Sequence, residues 1–319
     1  MKKYTKLVIQ ILFLSFIFCG CKSTGNNKKI PTIGFLDLLQ DETLAQANKG
    51  FFDALKENHF SEADSTLKII YRNAQNDQTI LAQACDYLIS QKPDLIATNP
   101  SLSTAAVVQK TKDIPVFMMV SPSPKNAGLT DKQGNAPANL FGVYETLDYI
   151  DTSLSLINKL LPKVKKIGAI YNQAESQSVD AFNRMKQQCE KLNLKLEVLP
   201  VNNSGETQLA MEALVSKKIE AFFALPDNTV FASFETIAQV CEDHHIPVFT
   251  SEAGLVARGA LVSYGADFYQ WGHQSGEQAA IFLRDKSTSS IKPEVVKVRK
   301  LAMNDAVAKK LGIDMNILK

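Results

Sequence analysis

The chain has 319 residues, with 35 Lys and Arg against 33 Asp and Glu for a formal charge of +2, and 45% hydrophobic residues. That length holds two ordinary domains, and a balanced charge without any block of clustered Lys and Arg excludes a basic nucleic-acid-binding surface. Four histidines and five cysteines, none in a metal-ligand spacing, give no reason to expect a metal or a cofactor.

The chain opens with Lys2, Lys3 and Lys6, an apolar run from Leu7 to Phe18, and Gly20-Cys21. A basic start, a short apolar core and a small residue at the processing point make 1–20 a signal peptide; the run is well short of the roughly twenty residues a membrane span needs. The pattern resembles that of bacterial lipoproteins, in which cleavage falls before a cysteine that then carries diacylglycerol. Cys21 is the expected lipidation site, 21–30 the tether, and the mature protein is expected to be extracytoplasmic and anchored to a membrane. Loss of three lysines and no acid takes the formal charge from +2 to −1.

From Ile30 onward, short runs rich in Ile, Val and Phe alternate with longer amphipathic stretches, the pattern of strand and crossover helix in a parallel sheet. Strands are expected at Ile30 to Leu38, Leu67 to Ala74, Asp94 to Asn99, Ile114 to Val120 and Leu140 to Tyr144. Helices fall between them near Thr43 to Asn58, Asp77 to Gln91 and Ser103 to Lys112, and Ser121 to Asn139 reads as a loop. After a helix over Asp148 to Leu161 the alternation begins again, with strands at Lys166 to Asn172, Lys195 to Val201, Ala221 to Asp227, Ile246 to Ser251 and Ala260 to Asp267. Its helices lie near Ser176 to Lys191, Glu206 to Ser216 and Thr229 to His244. The tail reads as a helix Trp271 to Arg284, a strand Val295 to Arg299 and a helix Asn304 to Leu311. Cys85, Cys189 and Cys241 fall in these helices and read as buried free thiols, one disulfide being the alternative.

Two successive α/β halves predict two lobes joined by a hinge: 31–145 with about 268–290, and 146–267 with about 291–319. In open parallel sheets ligands sit outside the carboxyl ends of the strands, so the candidate ligand-binding residues are those just after each strand. In the first half these are Gln40, Asn73, Thr98, Asn99 and Ser121, small donors and acceptors that turn chemistry alone would also select. In the second half Asn172, Glu175, Ser176 and Ser178 surround a helix start, where free backbone amides and the helix dipole suit an anion such as a carboxylate, or where a serine simply caps the helix. Asp227, Glu252 and Asp267 recur at strand ends as candidates for a ligand ammonium, with Asn228 beside them; Asp227 and Asn228 also suit a cap.

Enzyme signatures fail: there is no dinucleotide-binding glycine motif, no phosphate loop and no nucleophile elbow. His244 and His245 stand at a helix end, and no nucleophile and base pair is found. The chain therefore reads as a binding protein and not an enzyme.

The segments IGFLDLLQ, KPDLIATN, DIPVFMMVSPSPKNAGL, KIGAIYNQAESQS, ALPDNTV, IPVFTSEAGLVARGALVSYGADFYQWG and NDAVAKKLGI together resemble the substrate-binding lipoproteins of ABC importers associated with tryptophan or tyrosine uptake, from about Ile33 to Ile313. That resemblance implies a type I periplasmic binding protein fold, α/β, with two Rossmann-like lobes joined by three crossings. It also implies a monomer that closes on a small solute, an amino acid or similar zwitterion, and hands it to an ABC permease driven by a separate ATPase. Members commonly have Glu-Ala-Asn-Ser and Asp-Tyr-Tyr where this chain has Glu175-Ser176-Gln177-Ser178 and Asp267-Phe268-Tyr269. A ligand-sensing lipoprotein and a sugar- or nucleoside-binding protein of the same fold remain the alternatives.

Overall fold

In the computed structural model, which describes residues 29–318, the alternation of apolar runs and amphipathic stretches becomes two separate open sheets. Residues 1–28, with Cys21 and the signal segment, lie outside the described residues. Strands β1 (Thr32–Asp37), β2 (Lys68–Asn73), β3 (Leu95–Asn99), β4 (Val116–Met118), β5 (Leu140–Tyr144) and β11 (Glu294–Val295) form a sheet in the order β11-β5-β4-β3-β1-β2. All its pairings are parallel. Strands β6 (Lys166–Asn172), β7 (Lys195–Val201), β8 (Ala221–Ala224), β9 (Val248–Thr250), β10 (Val262–Ala266) and β12 (Arg299–Met303) form the other, in the order β12-β10-β9-β8-β6-β7. Central strands such as β3 are buried along their whole length, as helices on both faces require, and this is why they read as unbroken apolar runs.

The first sheet carries helices α1 (Glu42–Glu57), α2 (Gln78–Ser90) and α3 (Ser101–Lys110). Around the second lie α4 (Asp148–Leu160), α5 (Ser176–Lys191), α6 (Thr207–Ser216), α7 (Asn228–Ala232), α8 (Phe234–Asp243) and α9 (Ala253–Ala257), followed by α10 (Phe268–Asp285) and α11 (Asp305–Leu311). Cys85, Cys189 and Cys241 are buried free thiols.

Helix α10 follows the last parallel strand of the second sheet but docks on the first lobe. Trp271 Nε1 donates to the Val143 carbonyl at 2.8 Å and Ser275 Oγ to that of Met118 at 2.9 Å. Gly142 N donates to Gln278 Oε1 at 2.9 Å. Its contact with α1 is close enough that a Cβ on Gly272 would lie 1.8 Å from the Ala47 carbonyl oxygen, so only glycine fits there. The chain thus crosses between the sheets three times: after β5, between β10 and α10, and between β11 and β12. Two ion pairs rivet these crossings: Glu145 takes Arg299 through both carboxylate oxygens, with Nε at 2.9 Å, and Asp267 pairs with Lys300.

Four local readings need correction. The strand expected over Val295 to Arg299 is two strands in different sheets. Val296 N bonds the Tyr144 carbonyl at 2.8 Å, so the chain stays with the first lobe past residue 291 before crossing over. The second sheet is not wholly parallel, because β12 returns antiparallel to β10. The helix expected over Thr229 to His244 breaks at Ser233 (φ −124°), whose hydroxyl bonds back to the Thr229 carbonyl at 2.6 Å. Helix α9, only five residues long, has too short a period to be seen in sequence.

Candidate functional site

A cavity lies between the lobes where the carboxyl ends of the two sheets face each other, as the topology of open α/β sheets dictates. The first lobe lines it with Pro100 and Ser101 after β3, Val120, Ser121 and Pro122 after β4, and Glu145 after β5. Pro226 and Asn228 after β8, Glu252 after β9, Gln177 on α5 and Phe231 on α7 line it from the second. Leu147, Tyr149 and Trp271, which flank two of the crossings, complete the wall. No Lys, Arg or His contributes to this lining, whereas two carboxylates do.

Glu252 is 2% exposed and accepts from Ser251 Oγ at 3.0 Å and Tyr149 Oη at 3.3 Å. Burial, opposed by the Ser251 hydroxyl and reinforced by the Glu145 charge, pushes its carboxyl up to about 7. Glu145 is raised by burial as well, against the pull of Arg299. Of the two acids Glu145 is therefore already paired, while Glu252 has only neutral hydroxyl partners.

Behind the wall runs a second polar network. Asn228 Nδ2 donates to Glu175 Oε2 at 2.7 Å, the Gln177 amide donates to the same oxygen, and Asn172 Nδ2 donates to Glu175 Oε1 at 3.2 Å. One N–H of each amide is committed to Glu175, so Asn228 and Gln177 keep a carbonyl oxygen as acceptor beside their second N–H. Asp227 is fully buried and takes three backbone amides: Thr229 N at 2.7 Å, Val230 N at 3.0 Å and Asn172 N at 2.7 Å. Burial raises both Glu175 and Asp227, and the neighbouring Asp227 charge raises Glu175 further.

Helix starts converge here. Asp227 caps α7, whereas the Glu175 carboxyl stands at the N-cap position of α5 without bonding its first amides. Helix α3 begins after Pro100, which supplies no side-chain acceptor, so the first amides of α3 have no side-chain cap. Ser103, in that first turn, is fully buried and its Oγ has no hydrogen-bond partner.

Of the residues singled out in sequence, Ser121, Asn228 and Glu252 line the cavity, and Asn172, Glu175 and Asp227 stand directly behind it. Ser176 is exposed, and Ser178 is buried with its hydroxyl outside ordinary hydrogen-bond geometry. Thr98 bonds Thr104 at 2.9 Å in the first turn of α3, whereas Asn99 bonds the Leu44 carbonyl at 3.1 Å and Asn48 at 2.7 Å on α1. Gln40 is exposed, and Asn73 sits on the edge strand β2, capping the turn at Gln75 N at 2.8 Å. Asp267 caps α10 through Gln270 N at 3.2 Å and pairs with Lys300, outside the lining. Glu145, directly after β5 and absent from the sequence expectations, satisfies the same strand-end criterion. Tyr149, Phe231 and Trp271 sit on helices, where periodicity cannot distinguish a wall residue from a core residue.

Two α/β lobes crossed three times by the chain, meeting at their strand ends around a buried, aromatic-walled cavity, define a solute-binding clamp of the periplasmic binding protein class. The chain belongs to the ABC transporter substrate binding protein family, whose pattern it matches over residues 32–318. Its function is therefore to bind a solute for an ABC transporter; it is not an enzyme. It is 31% identical to the tyrosine-binding protein of Clostridioides difficile, over 98% of this chain and 93% of that one. Among solved structures it resembles the ABC domain from Streptococcus pneumonia in complex with L-Trp (TM-score 0.83, 26% identity, 90% of this chain and 97% of that one). It also resembles the ligand-free, open structure of a substrate-binding protein with adhesive properties from Clostridium difficile (TM-score 0.67, 28% identity, 89% and 96%).

Proposed function

We propose that this protein captures an aromatic amino acid of the tyrosine or tryptophan kind outside the cytoplasm and hands it to an ABC permease, held at the membrane by lipid on Cys21. The observation that carries the reading is the lining itself: Trp271, Phe231 and Tyr149 offer ring-sized apolar area, and a buried carboxylate without a cationic partner, Glu252, stands among them. In this reading the ligand ammonium meets Glu252 and the carbonyl oxygens of Asn228 and Gln177. Its carboxylate meets the uncapped amides of α3 with Ser101, where the helix dipole favours an anion. This moves the anion subsite from the α5 start expected in sequence to that of α3, because the Glu175 carboxyl stands at the α5 N-cap position, where its oxygens would oppose a ligand carboxylate, and no acid stands at the start of α3. Similarity to a tyrosine-binding protein and to an L-Trp complex supports the same class.

A thermal-shift screen tests the assignment. L-tyrosine or L-tryptophan at a hundredfold excess over its Kd should stabilise the native state by about 2.7 kcal/mol and raise Tm accordingly. Stabilisation by a sugar or nucleoside and by no aromatic amino acid would overturn it. For the anchor, among the described residues no helix is long and apolar enough to cross a membrane. Cys21→Ser is expected to move the protein from the membrane fraction to the soluble one; a variant that resists a high-salt wash would refute the lipid tether.

A further inference from the structure

Arg258, directly after α9, has a side chain only 8% exposed, although its guanidinium is always charged. Its fork is fully engaged. Nε donates to Glu235 Oε1 at 2.8 Å, and one terminal nitrogen donates to Glu235 Oε2 and to the Phe231 carbonyl, both at 2.9 Å. The other terminal nitrogen leaves the second lobe, donating to Asp41 Oδ2 at 2.5 Å and to Thr43 Oγ1 at 3.3 Å.

Asp41 is 2% exposed at its side chain and serves both lobes at once: Oδ1 caps α1 through Thr43 N at 2.8 Å and Leu44 N at 2.9 Å, while Oδ2 takes Arg258. The lobes are in direct contact beside it, since a Cβ on Gly254 would lie 2.1 Å from Thr43 Cγ2. None of Asp41, Thr43, Gly254 and Arg258 lines the cavity, but Phe231, whose carbonyl the same guanidinium holds, does.

The geometry points to Arg258 and Asp41 as a latch between the lobes, a pair of positioning residues that lengthens the life of the closed clamp without touching the solute. When the lobes part, Asp41 keeps its helix cap and Arg258 keeps Glu235 and Phe231; only the bonds of Arg258 to Asp41 and Thr43 are exchanged for water. The latch therefore biases opening and leaves each lobe's fold intact, and by differential stabilisation of one state it sets the rate at which any solute escapes. Through the Phe231 carbonyl it also ties the position of a cavity wall to closure. The inference rests on the clamp reading, that the lobes part to admit solute, and not on which solute enters.

The test compares the parent with Asp41→Asn, which retains an oxygen to cap α1, with Arg258→Lys, which keeps the charge but loses the fork, and with both together. In the ligand-free protein, small-angle scattering should give each variant a larger radius of gyration than the parent, with Tm unchanged in Asp41→Asn and lowered in the two that carry Arg258→Lys, which also lose fork bonds to Glu235 and the Phe231 carbonyl. Stopped-flow fluorescence of Trp271, the only tryptophan and part of the cavity wall, should show L-tyrosine leaving about tenfold faster from each single variant. The double variant should be no faster than the worse single one, as a shared bond requires. Equal ligand-free radii overturn the latch even if no aromatic amino acid binds; dissociation rates that multiply in the double variant overturn it too. Failure of L-tyrosine to bind, with the radii shifted as described, overturns the solute assignment alone.

Discussion

Glu252→Gln is expected to weaken binding of L-tyrosine or L-tryptophan at pH 8 by about 2 to 5 kcal/mol, about 30-fold to several thousandfold, because a desolvated ammonium loses its charged partner. Glu252 carries this alone. Glu145, the other acid in the wall, is held through both oxygens by Arg299, and Asp227 spends its carboxylate on three backbone amides. Asp267→Asn, by contrast, removes a partner of Lys300 outside the lining and should leave affinity within about threefold, roughly 0.6 kcal/mol. Calorimetry on the two variants decides the matter, and an analogue lacking the amine should bind the parent and Glu252→Gln alike. A Glu252→Gln variant that holds the amino acid within threefold of the parent would show that no carboxylate here reads the ammonium.

The same residue gives the ligand-free protein a dependence on pH of unusual sign. Burial raises Glu252 from 4.5 to about 7 in the folded state. Between those values the folded chain keeps a proton that the unfolded chain has released. Stability therefore falls as pH rises through this window, and the loss is complete above about 7, amounting to about 3 kcal/mol at 1.36 kcal/mol per unit. Asp37, raised from 3.8 to about 6 by burial against its bonds to Tyr71 and Asn48, acts in the same sense at lower pH. Urea unfolding is expected to give a more stable ligand-free protein at pH 5 than at pH 8; Glu252→Gln should remove only its own share of that difference, since Glu175, raised from 4.5 to about 8, and Asp37 act in the same sense. Affinity runs the opposite way: below pH 7 an ammonium can dock only after Glu252 gives up its proton, so binding should weaken up to about tenfold per unit as pH falls. A stability that is flat or rising from pH 5 to 8 in the parent would refute the buried, unpaired carboxyl.

The alternation of apolar runs with amphipathic stretches was enough to locate all ten strands from β1 to β10: the central ones, covered on both faces, are apolar throughout, and the edge strands β2 and β7 keep enough apolar residues to stand out between helices. Strand-end logic brought Ser121, Asn228 and Glu252 into view for the same reason: topology, not side-chain detail, sends those positions to one edge. The destination of the tail was not readable in this way. Glu294–Val295 and Arg299–Met303 look like one short strand, and only the partner edges of β5 and β10 divide it.

What the sequence determined by itself is thus the two-lobed α/β plan, the class of protein and the ring of strand ends where a solute would sit, since periodicity and punctuation are local properties. Only the tertiary structure decided which acid lacks a cationic partner, which helix starts lack a side-chain cap and which side chains bind the lobes together. Asp227, Glu252 and Asp267 are alike as strand-end carboxylates, yet one is held by backbone amides, one by two hydroxyls and one by Lys300. Arg258 and Asp41, 217 positions apart, meet only because the lobes do. The charge state and role of a buried group depend on what surrounds it in three dimensions, and in a protein crossed three times by its own chain those neighbours come from distant parts of the sequence.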